Sequence, residues 1–187
     1  MISTPSYNFF AKLTSVNVAA GAGETRVLSA GAIGTDWAGT LRYPANSQSA
    51  GDITRVFACG NLSNANAAAG AGQARLYFNP NAALNNPIAN TTLAPQIVGF
   101  PVFGMTTGFE WFFFAQFTIR TIGQNGTGYC NGYLLNVRNA LDFNRMSGAG
   151  AFNIDTTQDN DLELTLTVVT QGSLSLQQCS IEYLPAP

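Results

Sequence analysis

Residues 161–169 read DLELTLTVV, and the fold class turns on that stretch. Leu162, Leu164, Leu166 and Val168 share one face of an extended chain, and Asp161, Glu163, Thr165 and Thr167 share the other. Period two is the signature of a strand, and the polar half predicts a face in water. Gln171-Gly172 then turns the chain, and SLSLQQCSIEYL at 173–184 returns it. This second run slips phase: Leu174 and Leu176 are even, whereas Cys179, Ile181 and Tyr183 are odd. One extra residue near Gln177-Gln178 restores a single apolar face, which is what a β-bulge does. A strand bending between two packed sheets gives the same signature.

Upstream, alternating runs at 11–18, 24–33, 40–42, 52–60, 73–78, 109–122 and 127–136 read as further strands between Gly, Asn and Pro clusters. Helix signals are nearly absent. Residues 61–73, NLSNANAAAGAGQ, read as an exposed loop, and Pro80, Pro87, Pro95 and Pro101 break up 79–108. About nine short strands without helices predict an all-β, antiparallel jelly-roll β-sandwich. The length suits one domain with a sizeable core. We assign residues 11–187 to that domain and residues 1–10 to a short N-terminal arm.

Residues 110–117, EWFFFAQF, raise a second question. Trp111, Phe113, Ala115 and Phe117, with Ile119 beyond, form one continuous apolar face. The opposite face reads Phe112, Phe114, Gln116, Thr118, Arg120, aromatic first and polar after. Two coverings suit Phe112 and Phe114: the proline-rich segment 79–108, or a second subunit. Large exposed aromatic patches are rare on monomers, and aromatics concentrate at the centres of interfaces. Trp111, Phe112 and Phe114 are therefore candidate subunit contacts. Tyr7, Phe9 and Phe10 put aromatics in an arm with little of its own to pack on, which makes them candidate anchoring residues.

Charged residues are 10% of the chain, against roughly 25% in an ordinary soluble domain. Its polar surface must be Asn, Gln, Ser, Thr and Gly, which suits a protein that lives against neighbours. The arginines are dispersed, Lys12 is the only lysine and the net charge is −2, so no basic stripe addresses nucleic acid or an anionic membrane. No run approaches the ~20 apolar residues of a membrane span. The start MISTPSYNFFAKL does not read as a secretory signal.

There is no histidine, which removes the commonest general base and metal ligand together. Ser–Lys chemistry would have to use Lys12. The three cysteines, Cys59, Cys130 and Cys179, form no CxxC pair. Cys59 and Cys179 read as small core hydrophobes rather than disulfide partners or zinc ligands. The cluster Asp155, Asp159, Asp161, Glu163 lacks the glycine and bidentate glutamate of a calcium loop, and it reads as a solvated strand face. A glycosidase pair would need two of these carboxyls across a sugar cleft. The GAG triplets at 21–23 and 70–72 have neither the lysine nor the helix of a phosphate loop. These residues predict no enzyme, no cofactor and no metal.

FTIRTIGQNGTGYCNGYLLN at 117–136 and FNIDTTQDNDLELTLTVVTQGSLSLQQCSIEYL at 152–184 resemble the small jelly-roll virion proteins of tailed bacteriophages. In that group an R-T-I-G corner leads into x-x-G-T-G-x-x-x-G, and an I-D-T-T-x-D-N-x-L step precedes two last strands ending in I-E-x-L. LRYPANSQSAGDITRVFACGNLSNA at 41–65 resembles the group's P-A-N-x-x-x-x-G-D approach to a strand that ends at a glycine. The resemblance spans roughly 24–184 and implies a jelly roll that forms homotrimers on a particle. It implies a trimeric capsid decoration (cement) protein, made in the host bacterial cytoplasm, that binds the major capsid protein at the virion's capsid surface and stabilises the mature shell. Trp111, Phe112 and Phe114 would then lie between subunits, and Tyr7, Phe9 and Phe10 would anchor to the capsid. The alternative is a tail- or spike-associated receptor-binding module, with Trp37 or Tyr43 meeting host glycans. Unlike tail fibres, this chain has no long repetitive shaft.

Overall fold

Alternating apolar and polar residues, punctuated by glycine, put most of the described residues into extended strands. The computed structural model describes residues 7–12, 16–19, 21, 25–27, 42–63, 72–80, 109–137, 141–145, 150–168 and 172–187. Its strands are β1 (Tyr7–Lys12), β2 (Val16–Ala19), β3 (Thr25–Arg26), β4 (Arg42–Tyr43), β5 (Ile53–Ser63), β6 (Gly72–Pro80), β7 (Phe109–Thr121), β8 (Gly126–Val137), β9 (Leu141–Arg145), β10 (Gly150–Ile154), β11 (Asn160–Val168) and β12 (Ser173–Leu184). No helix occurs among the described residues, and their strand pairings are antiparallel. Residues 61–63 and 72–73, expected in an exposed loop, and 79–80, expected in the proline-broken segment, are instead strand residues at the ends of β5 and β6. The remaining expected loop residues 64–71 and 81–108, strand residues 28–33, and Trp37 lie outside the described residues.

The larger sheet runs β1-β12-β5-β7-β8-β10, with β2 extending the β1 edge along β12 and β9 extending the β10 edge along β8. It curls into a half-barrel. The smaller sheet centres on β11, with β6 on one side and β3 and β4 in succession on the other. One continuous apolar core takes the inward residues of both sheets, from Val56, Trp111, Phe113, Phe117 and Leu134 to Leu162, Leu164 and Leu166. The bulge expected in the last strand is present: the β12–β5 register shifts between Leu176 and Gln178. Leu174, Leu176, Cys179 and Ile181 are consequently all buried on one face.

Two glycines make room for neighbours across the sheet. The ring of Phe152 lies over its register partner Gly128, where an added Cβ would sit 2.1 Å from Phe152 Cζ. Gly60 lies between Ser175 and Trp111 so closely that the Trp111 indole N–H reaches past it to the Ser175 carbonyl at 3.1 Å.

The polar face of β11 is a correction. Asp161, Glu163 and Thr165, expected in water, are 1%, 0% and 2% exposed. Period-two patterning distinguishes two faces by polarity, and a polar face can still be covered where partners meet it. Here Arg42 on β4 grips Asp161 with two nitrogens, Nε at 2.9 Å and Nη2 at 3.2 Å. Arg42→Ala should therefore cost about 2–3 kcal/mol in denaturant unfolding, because it strips a buried carboxylate of its charged donors. Removing an exposed ion pair such as Arg55–Glu182 should cost at most ~1 kcal/mol.

Candidate functional site

The turn motifs that carry the bacteriophage resemblance meet one another. Gly123, at φ 108°, takes a left-handed turn that non-glycine residues rarely adopt. Its N–H donates to Thr156 Oγ1 at 2.7 Å, and Thr156 N–H donates back to the Gly123 carbonyl at 3.1 Å. The Thr156 carbonyl accepts Asn46 N–H at 2.7 Å, and Asp159 Oδ1 accepts Ala45 N–H at 2.8 Å. Asp155 closes its own turn by accepting the N–H and hydroxyl of Thr157. The R-T-I-G, P-A-N and D-T-T-x-D-N motifs thus bond to one another. They mark a corner of the fold, since their polar groups serve neighbouring backbone.

The same bonds account for most of the acidic cluster. Asp155, Asp159 and Asp161 are committed to Thr157, Ala45 and Arg42 respectively, and Glu163 is buried. No group of three or more His, Cys, Asp or Glu side chains is arranged to hold a metal ion among the described residues.

A different surface is open. The outward residues of β5, β7 and β8 bring Phe57, Phe112, Phe114 and Tyr133 together, with Phe57 opposite Phe114 and Phe114 opposite Tyr133 in register. Phe114 stacks on Tyr133 at 5.3 Å, and Phe57 meets Phe112 at 6.2 Å. Phe57 and Tyr133 remain 38% and 37% exposed, while Phe112 and Phe114 are half-buried. Polar residues flank the group on one side, where Arg55 bridges Gln116 and Glu182; further along β7 and β8, Arg120 lies over the Tyr129 ring at 4.8 Å.

Beside Phe112, at the β12 bulge, lies a cavity of about 270 Å³ lined by Cys59, Gly60, Asn61, Glu110, Phe112 and Gln177. Cys59, expected in the core, faces this cavity and is half-buried. Both faces of β5 carry apolar residues there, so the sequence leaves its phase ambiguous. Partial burial and then the nearby Glu110 carboxylate push its thiol pKa up, which keeps it neutral. Cys130 and Cys179 are the core cysteines, and burial pushes the Cys130 thiol up to about 12.

The residues singled out from sequence separate by strand phase. Phe112 and Phe114 lie on the open face. Trp111 points the opposite way, with no exposed surface, so it serves the core and not the outer face. Tyr43, named as a glycan contact, is also in the core at 3% exposure, its hydroxyl 2.9 Å from Thr54 Oγ1. Tyr7, Phe9 and Phe10 lie in β1, whose backbone pairs with β12 from Tyr183 to Cys179. The chain from Tyr7 onward is thus a sheet strand, and the boundary drawn after residue 10 falls inside it. The side chains of β1 lie outside the described residues. Phe57 is the lone aromatic of β5 and Tyr133 shares β8 only with Tyr129, four residues away, so neither stands out in its own strand and only register gathers them.

No protein-family model matches the chain, and no curated protein matches it. Among solved structures, the CBM2 module of the evolved Dit of Lactobacillus casei BL23 phage J-1 superposes with a TM-score of 0.29 at 8% sequence identity, covering 78% of this chain and 68% of that one. A superposition this loose carries no argument about fold or role.

Proposed function

We propose that the chain is a non-enzymatic virion structural protein, built as a jelly-roll sandwich, that assembles with copies of itself through the outer aromatic face of the large sheet. The observation that carries this reading is the open cluster of Phe57, Phe112, Phe114 and Tyr133, with charged and polar side chains along one flank, since aromatics concentrate at interface centres. Fully burying an exposed aromatic side chain is worth about 1.5–3 kcal/mol. These four are already more than half covered, so each contributes only the remaining fraction of that against the cost of association. The motif resemblance supports a homotrimer on a phage particle. We favour capsid decoration, in which the trimer binds the major capsid protein and stabilises the mature shell. The absence of histidine supports a role without catalysis. Phe112→Ser with Phe114→Ser should convert the assembly to monomers in sedimentation velocity while thermal unfolding stays cooperative. A double variant that still sediments as the wild-type assembly removes this face from the interface.

The second reading is a tail- or spike-associated module that binds host glycans. It is favoured by the cavity beside Phe112, where an aromatic ring, two amides and a carboxylate line one space.

A further inference from the structure

We infer that the cavity at the β12 bulge binds a neutral pyranose ring, an inference that rests on the glycan-binding reading and gives its ligand a chemical class. The bulge sets Gln177 outward at the cavity edge, as bulges re-aim side chains beside binding sites. Its Nε2 donates to Ser175 Oγ at 3.0 Å, and that hydroxyl in turn bonds the Asn61 backbone at 3.3 Å, so the amide is held in place. Asn61 and Glu110 face each other in register across β5 and β7, and both are exposed. Three planar polar groups therefore stand around one opening, each able to bridge adjacent hydroxyls of a sugar. Phe112 supplies an apolar wall on which the C–H face of a pyranose can lie, and the neutral Cys59 thiol adds to it.

The floor is Gly60, backed by the Trp111 indole, where any side chain would strike the Ser175 carbonyl. Charge selects further. No lysine or arginine lines the cavity and Glu110 does, so a phosphate or an acidic sugar meets repulsion while a neutral hexose does not.

The test titrates the isotope-labelled full chain with D-glucose, D-galactose, N-acetyl-D-glucosamine and L-rhamnose in turn, following backbone amide resonances. At least one sugar should give saturable shifts centred on residues 59–61, 110–112 and 175–178. Glu110→Gln and Asn61→Ala, both exposed changes, should each weaken binding roughly tenfold. Phe112→Ala should abolish it, and Gln124→Ala, an exposed change outside the cavity lining, should leave it intact. Absence of saturable shifts with all four sugars overturns the inference, as do shifts that Glu110→Gln and Asn61→Ala leave unchanged. Sedimentation velocity on the same samples reads self-association separately. Copies that associate without binding sugar remove the pyranose and leave the assembly reading standing; a sugar-binding monomer does the reverse.

Discussion

Gly60→Ala should lower stability by about 4 kcal/mol, the largest loss expected from adding one methyl group to this chain. The new Cβ would lie 1.7 Å from the Ser175 carbonyl oxygen, 2.8 Å from its carbon and 3.0 Å from Trp111 Nε1. Two of these atoms are backbone, held by the ladder on each side of the bulge, so no side-chain rotation relieves the contact. β12 must move away from β5, and the indole hydrogen bond to Ser175 is lost with it. For a domain of this size the melting temperature should fall by roughly 10 °C. Gly21→Ala, with nothing within 4 Å and only a φ of 79° to strain, should cost about 1 kcal/mol. Trp111→Phe in the Gly60→Ala background separates the two contacts. Since the nearer clash is with the carbonyl, removing the indole N–H should give no rescue. A Gly60→Ala protein that melts with the wild type would show that β12 yields freely at its bulge.

That bulge was legible in the sequence because a phase slip is written in the spacing of Leu174, Leu176, Cys179 and Ile181. So were the core faces of β7 and β11, where apolar residues alternate without interruption. β9 and β10 were not. LDFNR and GAFNI are five residues each, too short for alternation to stand out, and they exist as strands because β8 offers them an edge. The buried polar face of β11 was illegible for a related reason. Asp161 is dry because Arg42, distant in sequence, arrives on the neighbouring strand, and no local pattern records that pairing.

The candidate site divides along the same line. Phe112 and Phe114 announced themselves because both faces of one strand are aromatic, and no strand with a wet face reads that way. Trp111 sat in the same run, but strand phase sends it inward. Phe57, Tyr133 and the cavity lining needed register across several strands, which sequence spacing does not encode. The motifs behave oppositely. Their conspicuous Thr, Asp, Asn and Gly residues look like a functional signature, and in the structure they bond each other at a corner. Polar residues at a sharp turn are selected by backbone hydrogen-bonding as readily as by a ligand.

Asp52→Ala is the second large effect, expected at about 3–5 kcal/mol. Asp52 begins the approach to β5 and is 2% exposed. Its carboxylate gathers three donors from separate parts of the chain: Ser49 N–H at 2.7 Å, Ala186 N–H at 2.8 Å, and the Tyr183 hydroxyl. Truncation leaves all three without an acceptor, and the segment after β12 loses its tie to the sheet. Asp52→Asn keeps one carbonyl oxygen but turns a donor toward the others, so roughly half the loss should remain. Amide exchange at Ala186 should accelerate in both variants, more in Asp52→Ala, which a general loss of stability confined to the core would not produce. The same cluster sets an alkaline limit. Burial, then the Asp52 bond and charge, hold the Tyr183 pKa above its ordinary 10.0, and burial holds that of Tyr43 above it too. Both phenols ionise more readily in the unfolded chain. The stability they supply is therefore complete below pH 10.0 and declines as pH rises beyond it. Removing the Asp52 carboxylate takes away the acceptor that holds the Tyr183 proton and the charge that opposes its loss. Asp52→Ala should thus lose stability less steeply than the wild type across the same alkaline range, although it starts from a lower value. A wild-type slope retained in the variant would mean that Asp52 and Tyr183 are not coupled.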